Sequence, residues 1–150
     1  MRSKTIFLWA LFNFTLTAVI GLLLRLFSVG LITGFHYKNW LHAHSHIAFL
    51  GWMYPAIIAF LIDFLPGEYQ RKDRLIKYLF WCMQLSVFGL LATFPRYGYG
   101  WPSIVVLSIH MIASVWLVFH VIKLVPQQYR VAKSYLKAGA WMMVISGFAG

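Results

Sequence analysis

Long uncharged stretches alternate with short basic ones along this chain. No Asp, Glu, Lys or Arg occurs from Thr5 to Leu24, from Asn39 to Ile62, from Tyr78 to Pro95, or from Tyr97 to Ile122. Each stretch is close to or above the roughly 18–20 residues that a helix needs to cross a ~30 Å hydrocarbon core. The pattern predicts an all-α, integral membrane up-and-down helical bundle forming one domain over residues 1–150. Complete spans are expected over about 5–27, 40–64, 76–94 and 102–123, with a fifth over about 136–150. The uncharged part of the fifth, from Ala138 to Gly150, covers only roughly 20 Å at 1.5 Å per residue, so this helix is expected to be cut short.

Turn chemistry separates the spans. Pro66-Gly67 follows the second, the run Pro95 to Pro102 (PRYGYGWP) the third, and Val125-Pro126 the fourth. After Arg25 the sequence stays apolar (LFSVGLITGF), which predicts either a long tilted first helix or a re-entrant or interfacial segment beyond an arginine at the membrane surface. Gly30 and Gly34 have the small-x-x-x-small spacing that permits close helix contact.

Composition agrees with a membrane protein: 61% hydrophobic, 19% aromatic and 11% charged, where soluble domains carry about 25% charged residues. The basic start MRSK suits a signal peptide, but the apolar stretch after it is too long and no small-residue cleavage site follows, so a retained first span is expected. The single cysteine, Cys82, excludes a disulfide framework and a thiolate metal site.

The net charge of +10 is explained by its placement. Arg2 and Lys4 precede span one; Arg71, Lys72, Arg74 and Lys77 lie between spans two and three; Lys123, Arg130, Lys133 and Lys137 lie between spans four and five. Those are 10 of the 13 basic residues on one side, against Lys38 and Arg96 on the other. The positive-inside rule then puts the N-terminus in the cytoplasm, and the basic loops require no nucleic-acid partner. The expected surroundings are the lipid bilayer and further helices, of the same protein or of partner subunits.

The densest polar cluster stands at the start of span two, in NWLHAHSHIAFLGW, where His42, His44 and His46 alternate with other residues. With the N-terminus inside, spans two and four both run from outside to inside. His46 then lies roughly 9 Å, and His110 of span four roughly 12 Å, below the outer helix ends. Imidazoles at such depth usually face a bundle interior, and pairs on facing helices hold metals and cofactors. His42 and His46, four apart, lie about 40° from each other around a helix, while His44 is about 200° from either. One regular helix therefore cannot aim all three at one metal. The expectation is one deep ligand, His46, paired with His110, while His42 or His44 serves a second metal, a proton path or the headgroup region. His36, His120 and Asp63 are read as interfacial or helix-end residues. The loop residues Arg96, Tyr97, Tyr99 and Trp101 form an aromatic belt, and Arg96 with Arg25 could cover a buried anionic cofactor.

The segment HSHIAFLGW, from His44 to Trp52, followed by an apolar run ending at Pro66, resembles the second membrane helix of haem–copper oxidase subunit I relatives. It is also similar to segments of the haem- and copper-containing NnrS-type proteins linked to nitric oxide response. The resemblance implies a bacterial inner-membrane protein in respiratory electron transfer or in nitric oxide or oxygen chemistry, with haem b and with copper as a second candidate. It implies a haem ligand at His46 first and His44 next, and a haem-facing arginine at Arg25. In that family the copper and high-spin haem ligands come from later helices, so oxygen reduction is not assigned to these residues. Two other functions are open: copper or zinc handling through an outer-face chelate of His42, His44 and His46, and a transporter or assembly factor whose histidines relay protons or stabilise the fold.

Overall fold

The computed structural model describes residues 3–34, 36–63, 65 and 74–149, with side chains as far as Ile145. Among them there is no strand. The chain forms α1 (Ser3–Ser28), then α2 (Tyr37–His46), which runs without a break through a π-helical stretch (Ile47–Met53) into α3 (Tyr54–Asp63). After these come α4 (Arg74–Tyr97), α5 (Trp101–Leu124), a 3₁₀ turn (Gln127–Tyr129) and α6 (Arg130–Ala149). Four of these segments are long and apolar enough to cross a membrane: Ser3–Ser28, Tyr37–Asp63, Arg74–Tyr97 and Trp101–Leu124. This is an all-α bundle, and the chain is a multi-pass membrane protein. Hydrocarbon offers no hydrogen bonds, so each span must satisfy its own backbone, and a helix does that within one segment.

Side-chain placement inverts that of a soluble bundle. On α1 the buried stripe is Ile6, Ala10, Asn13, Thr17, Ile20 and Leu24, spaced by three and four residues as one helical face requires. The outward faces carry Leu8, Phe12, Phe14, Val19 and Leu22, while polar Asn13, Gln84, Ser103, His110 and Ser114 are buried. Lipid accepts the apolar exterior at no cost, whereas polar side chains are kept off the lipid face.

The helices reach further than the uncharged stretches because charged and polar ends are tolerated where a span leaves the membrane. α4 continues through Pro95 and Arg96 to Tyr97, so these residues end a helix and do not lie in a loop. Gly98 closes the helix at φ +54°, its N–H donating to the Phe94 carbonyl at 2.8 Å. α1 stops at Ser28, just past Arg25, which settles the first span as a helix ending near that arginine. Gly30 and Gly34 follow with φ of +77° and +92°, and no described residue lies within 4 Å of where a Cβ would stand on either. They reverse the chain and do not make the helix contact their spacing suggested. α6 begins at Arg130, earlier than the uncharged run, and takes Lys133 and Lys137 into its first turns.

Span two carries a local conflict and its solution. Pro55 has no N–H to give the carbonyl of Gly51 four residues earlier. The ladder widens to a π form over Ile47–Met53, the Tyr54 N–H reaching back to Phe49. The Gly51 carbonyl instead accepts the side-chain amide of Asn13, at 2.7 Å from α1. Gly51 itself must be small there, since a Cβ would meet Val87 at 3.1 Å and Asn13 at 3.4 Å.

α4 and α5 pack antiparallel where Gly89 admits Val106. α1 packs along span two, α4 lies against α2, and α6 packs on α5. The apolar core is largest at the end where α1 starts, around Ile6, Ile62, Ile76, Phe80, Leu117 and Val121. Ser3 donates to Asp63 at 2.9 Å there, tying the ends of α1 and α3.

Replacing Asn13 by Leu keeps the branched outline of the side chain but leaves the Gly51 carbonyl without that donor. The expected loss is about 1–3 kcal/mol of stability, measured by denaturant unfolding in detergent. Thr15→Ala, which removes only an exposed bond to the carbonyl of Leu11, is expected to change stability much less.

Candidate functional site at the histidine end of the bundle

The end of the bundle where α1 and α4 finish and α2 and α5 begin gathers Arg25, His42, His44, His46, Arg96 and Tyr99. Its floor joins the start of α2 to the turn between α4 and α5. α2 starts after His36 with no side-chain cap, and Asn39 in its first turn donates to the Pro95 carbonyl at 3.4 Å. Gly98 lies so close to this side chain that a Cβ there would sit 2.8 Å from Asn39 Oδ1. The α4–α5 turn is thereby docked onto the start of α2, and Tyr99 is carried over the histidines.

α2 is regular through His46, so the angular separation of the three imidazoles survives in three dimensions. His42 and His46 face α4 and Tyr99. The His46 ring lies edge-on to Phe94 with centroids 4.6 Å apart, and the His42 ring meets Tyr99 at 4.8 Å. The Tyr99 hydroxyl and His46 Nε2 are hydrogen-bonded at 3.2 Å. His44 turns the other way, onto α1. Its Nδ1 lies 3.1 Å from the Thr17 carbonyl, which can only accept, so Nδ1 carries the proton of that bond. The ring rests on Gly21, where a Cβ would stand 3.0 Å from His44 Cε1.

His110 is on α5, fully buried beside the backbone of Met83 on α4, and among the described residues neither ring nitrogen makes a hydrogen bond of good geometry. Ser114 donates to the His110 carbonyl at 2.7 Å, and the Tyr54 hydroxyl to the Ser114 carbonyl at 2.6 Å, which joins α3 to α5 one turn away. No hydrogen bond joins His110 to His46. Arg25 and Arg96 are both exposed at this end. Among the described residues, no three His, Cys, Asp or Glu side chains gather as a metal would need, because His44 faces away from His42 and His46.

Several residues that shape this end were not singled out from sequence. Thr17 and Gly21 orient His44, and Asn13 braces span two. Their signal was available: Asn13 and Gln84 are amides within uncharged spans, and Pro55 inside span two announces a carbonyl that needs an outside donor.

Comparison with protein-family models, curated proteins and solved structures gives no match for this chain. The chemistry of the site therefore rests on its own geometry.

Tyr99→Phe keeps the ring contacts with His42, His46 and Phe94 and deletes one hydroxyl. The expected cost is about 0.5–1.5 kcal/mol in unfolding, with a shift of the His46 Nε2 resonance in nitrogen NMR and no shift at His44.

Proposed function

We propose that this chain is a haem-binding membrane protein of electron transfer, with its N-terminus on the cytoplasmic side of a bacterial inner membrane. The observation that carries the reading is the seating of His44. Its Nδ1 is held by the Thr17 carbonyl and its ring lies on Gly21, while no hydrogen bond from Nε2 is found among the described residues. Metal-bound imidazoles use this arrangement: one ring nitrogen donates to a backbone carbonyl, which fixes the tautomer and aims the other at the metal. The donor chemistry of His44 thus fits an iron porphyrin. His46 fits less well because its Nε2 is taken by Tyr99.

When bound, haem supplies one-electron redox chemistry. The residues around it supply position and charge. Thr17 and Gly21 orient the imidazole. Arg25, four residues beyond Gly21 and so near the same face of α1, offers a cation for a propionate at the membrane surface. The apolar helix faces exclude water. An outer-face copper or zinc chelate of His42, His44 and His46 has less support, since His44 does not face the other two.

Purified protein reconstituted with haem is expected to show a Soret band that His44→Ala abolishes and Gly21→Val shifts, while His46→Ala retains it. Absence of any Soret band would sink the reading. Loss on His46→Ala but not on His44→Ala would transfer the ligand role to His46.

The orientation follows from the 10 of 13 basic residues on one side. In a Cys82→Ala background, a membrane-impermeant thiol reagent added to intact cells should label a cysteine placed at Tyr97 and not one at Lys123. The reverse pattern would invert the topology.

A further inference from the structure

His42 and His46 belong to no part of the His44 site, yet they are arranged for chemistry of their own. They stand one helical turn apart on the regular part of α2, the i, i+4 spacing by which a helix presents two imidazoles to one metal. Both rings pack on the same two neighbours, Phe94 and Tyr99. A third donor is already in place, because the Tyr99 oxygen is 3.2 Å from His46 Nε2. Two ligands bound to one ion at about 2.0–2.1 Å lie about that far apart when the geometry is tetrahedral. His42 and His46 are half-buried and Tyr99 is exposed, so an ion can reach the cluster from solvent without crossing the bundle.

We propose that His42, His46 and Tyr99 form a binding site for a divalent late transition metal ion, separate from the His44 site. Two imidazole nitrogens and one phenol oxygen bind the ion, and water completes the shell. The phenol proton passes to solvent on binding, and no electron moves. This donor set suits zinc and copper(II), with copper(II) the tighter by the usual order of divalent affinities. Phe94 closes the inner side of the site with an apolar ring, and Asn39 holds the turn that carries Tyr99 in register through the Pro95 carbonyl. The helix would bring two ligands prearranged, and the α4–α5 turn would bring the third.

The test uses the full chain, purified without haem, and Zn²⁺ alone as the titrant in calorimetry. The expected result is one ion per chain, with affinity falling roughly tenfold or more in each of His42→Ala and His46→Ala and less in Tyr99→Phe. His44→Ala is expected to bind Zn²⁺ like the parent. His42→Gln serves as a second variant that keeps size and polarity, and circular dichroism checks that each variant is folded. No binding by the parent chain overturns the site. So does binding that survives both His42→Ala and His46→Ala, or that is lost with His44→Ala, which would place the ion elsewhere. Haem loading of the same variants keeps the two readings apart: the ion site stands or falls on His42 and His46, the haem reading on His44.

Discussion

Pro55 leaves the carbonyl of Gly51 without its helical donor in the middle of a membrane span, where an unpaired backbone group costs several kcal/mol. The amide of Asn13 meets that need at 2.7 Å, and the rest of the structure inherits its geometry from this bond. It fixes α1 against span two at one level, and from that level the two antiparallel helices count outward together. Eight residues along α1 lead to Gly21, and seven residues back along span two lead to His44, rises of about 12 and 10 Å at 1.5 Å per residue. That is why the His44 ring finds Gly21 below it and Thr17 beside it. Arg25, four residues further on, then stands near the end of α1 on nearly the same face.

An apolar core contributes little to association within a bilayer, because lipid tails are as apolar as leucine. Neighbouring helices here are selected instead by small residues and by polar bonds between spans. Gly51 admits Asn13 and Val87, Gly89 admits Val106, and Tyr54 donates across to the Ser114 carbonyl. Among the described residues, Asn13 Oδ1, Gln84 Nε2, Ser103 Oγ and both His110 nitrogens are buried with no hydrogen bond of good geometry. These atoms concentrate on α1, α4 and α5, the helices that flank the proline-distorted span. The polar content of the bundle is thus internal and localised, while its lipid face is almost entirely aliphatic and aromatic.

The four spans were legible in the sequence because charge is excluded from hydrocarbon far more strictly than any propensity acts. Their ends were less so. Arg96 and Tyr97 belong to α4, and Arg130, Lys133 and Lys137 to α6, since a cation at a span's end can reach water while its backbone stays helical. Gly30 and Gly34 read as a packing pair by spacing alone, but spacing does not reveal φ, and both adopt the left-handed values of a chain reversal. The opposed facing of His44 was legible, because it depends only on 3.6 residues per turn in a regular helix. Which side each imidazole faces was not. That depends on the Asn13–Gly51 bond and on Asn39 docking the turn with Tyr99, both contacts between residues far apart in sequence.

Span two consists of two regular helices around one wide turn, and this division separates its chemistry from its packing. The histidines occupy α2, where regular geometry sends His42 and His46 to one side and His44 to the other. The π stretch begins at Ile47, directly after the last of them. Each residue in a wider turn advances less around the axis, so the side chains of α3 are re-phased relative to those of α2. One span can therefore address α4 with His46, α1 with His44 and Gly51, and α5 with Tyr54. A straight α-helix with the same residues would keep one phase throughout and could not hold all of these contacts. Proline and glycine inside the span are what allow a single helix to serve three neighbours, and Asn13 is what makes that distortion tolerable in lipid.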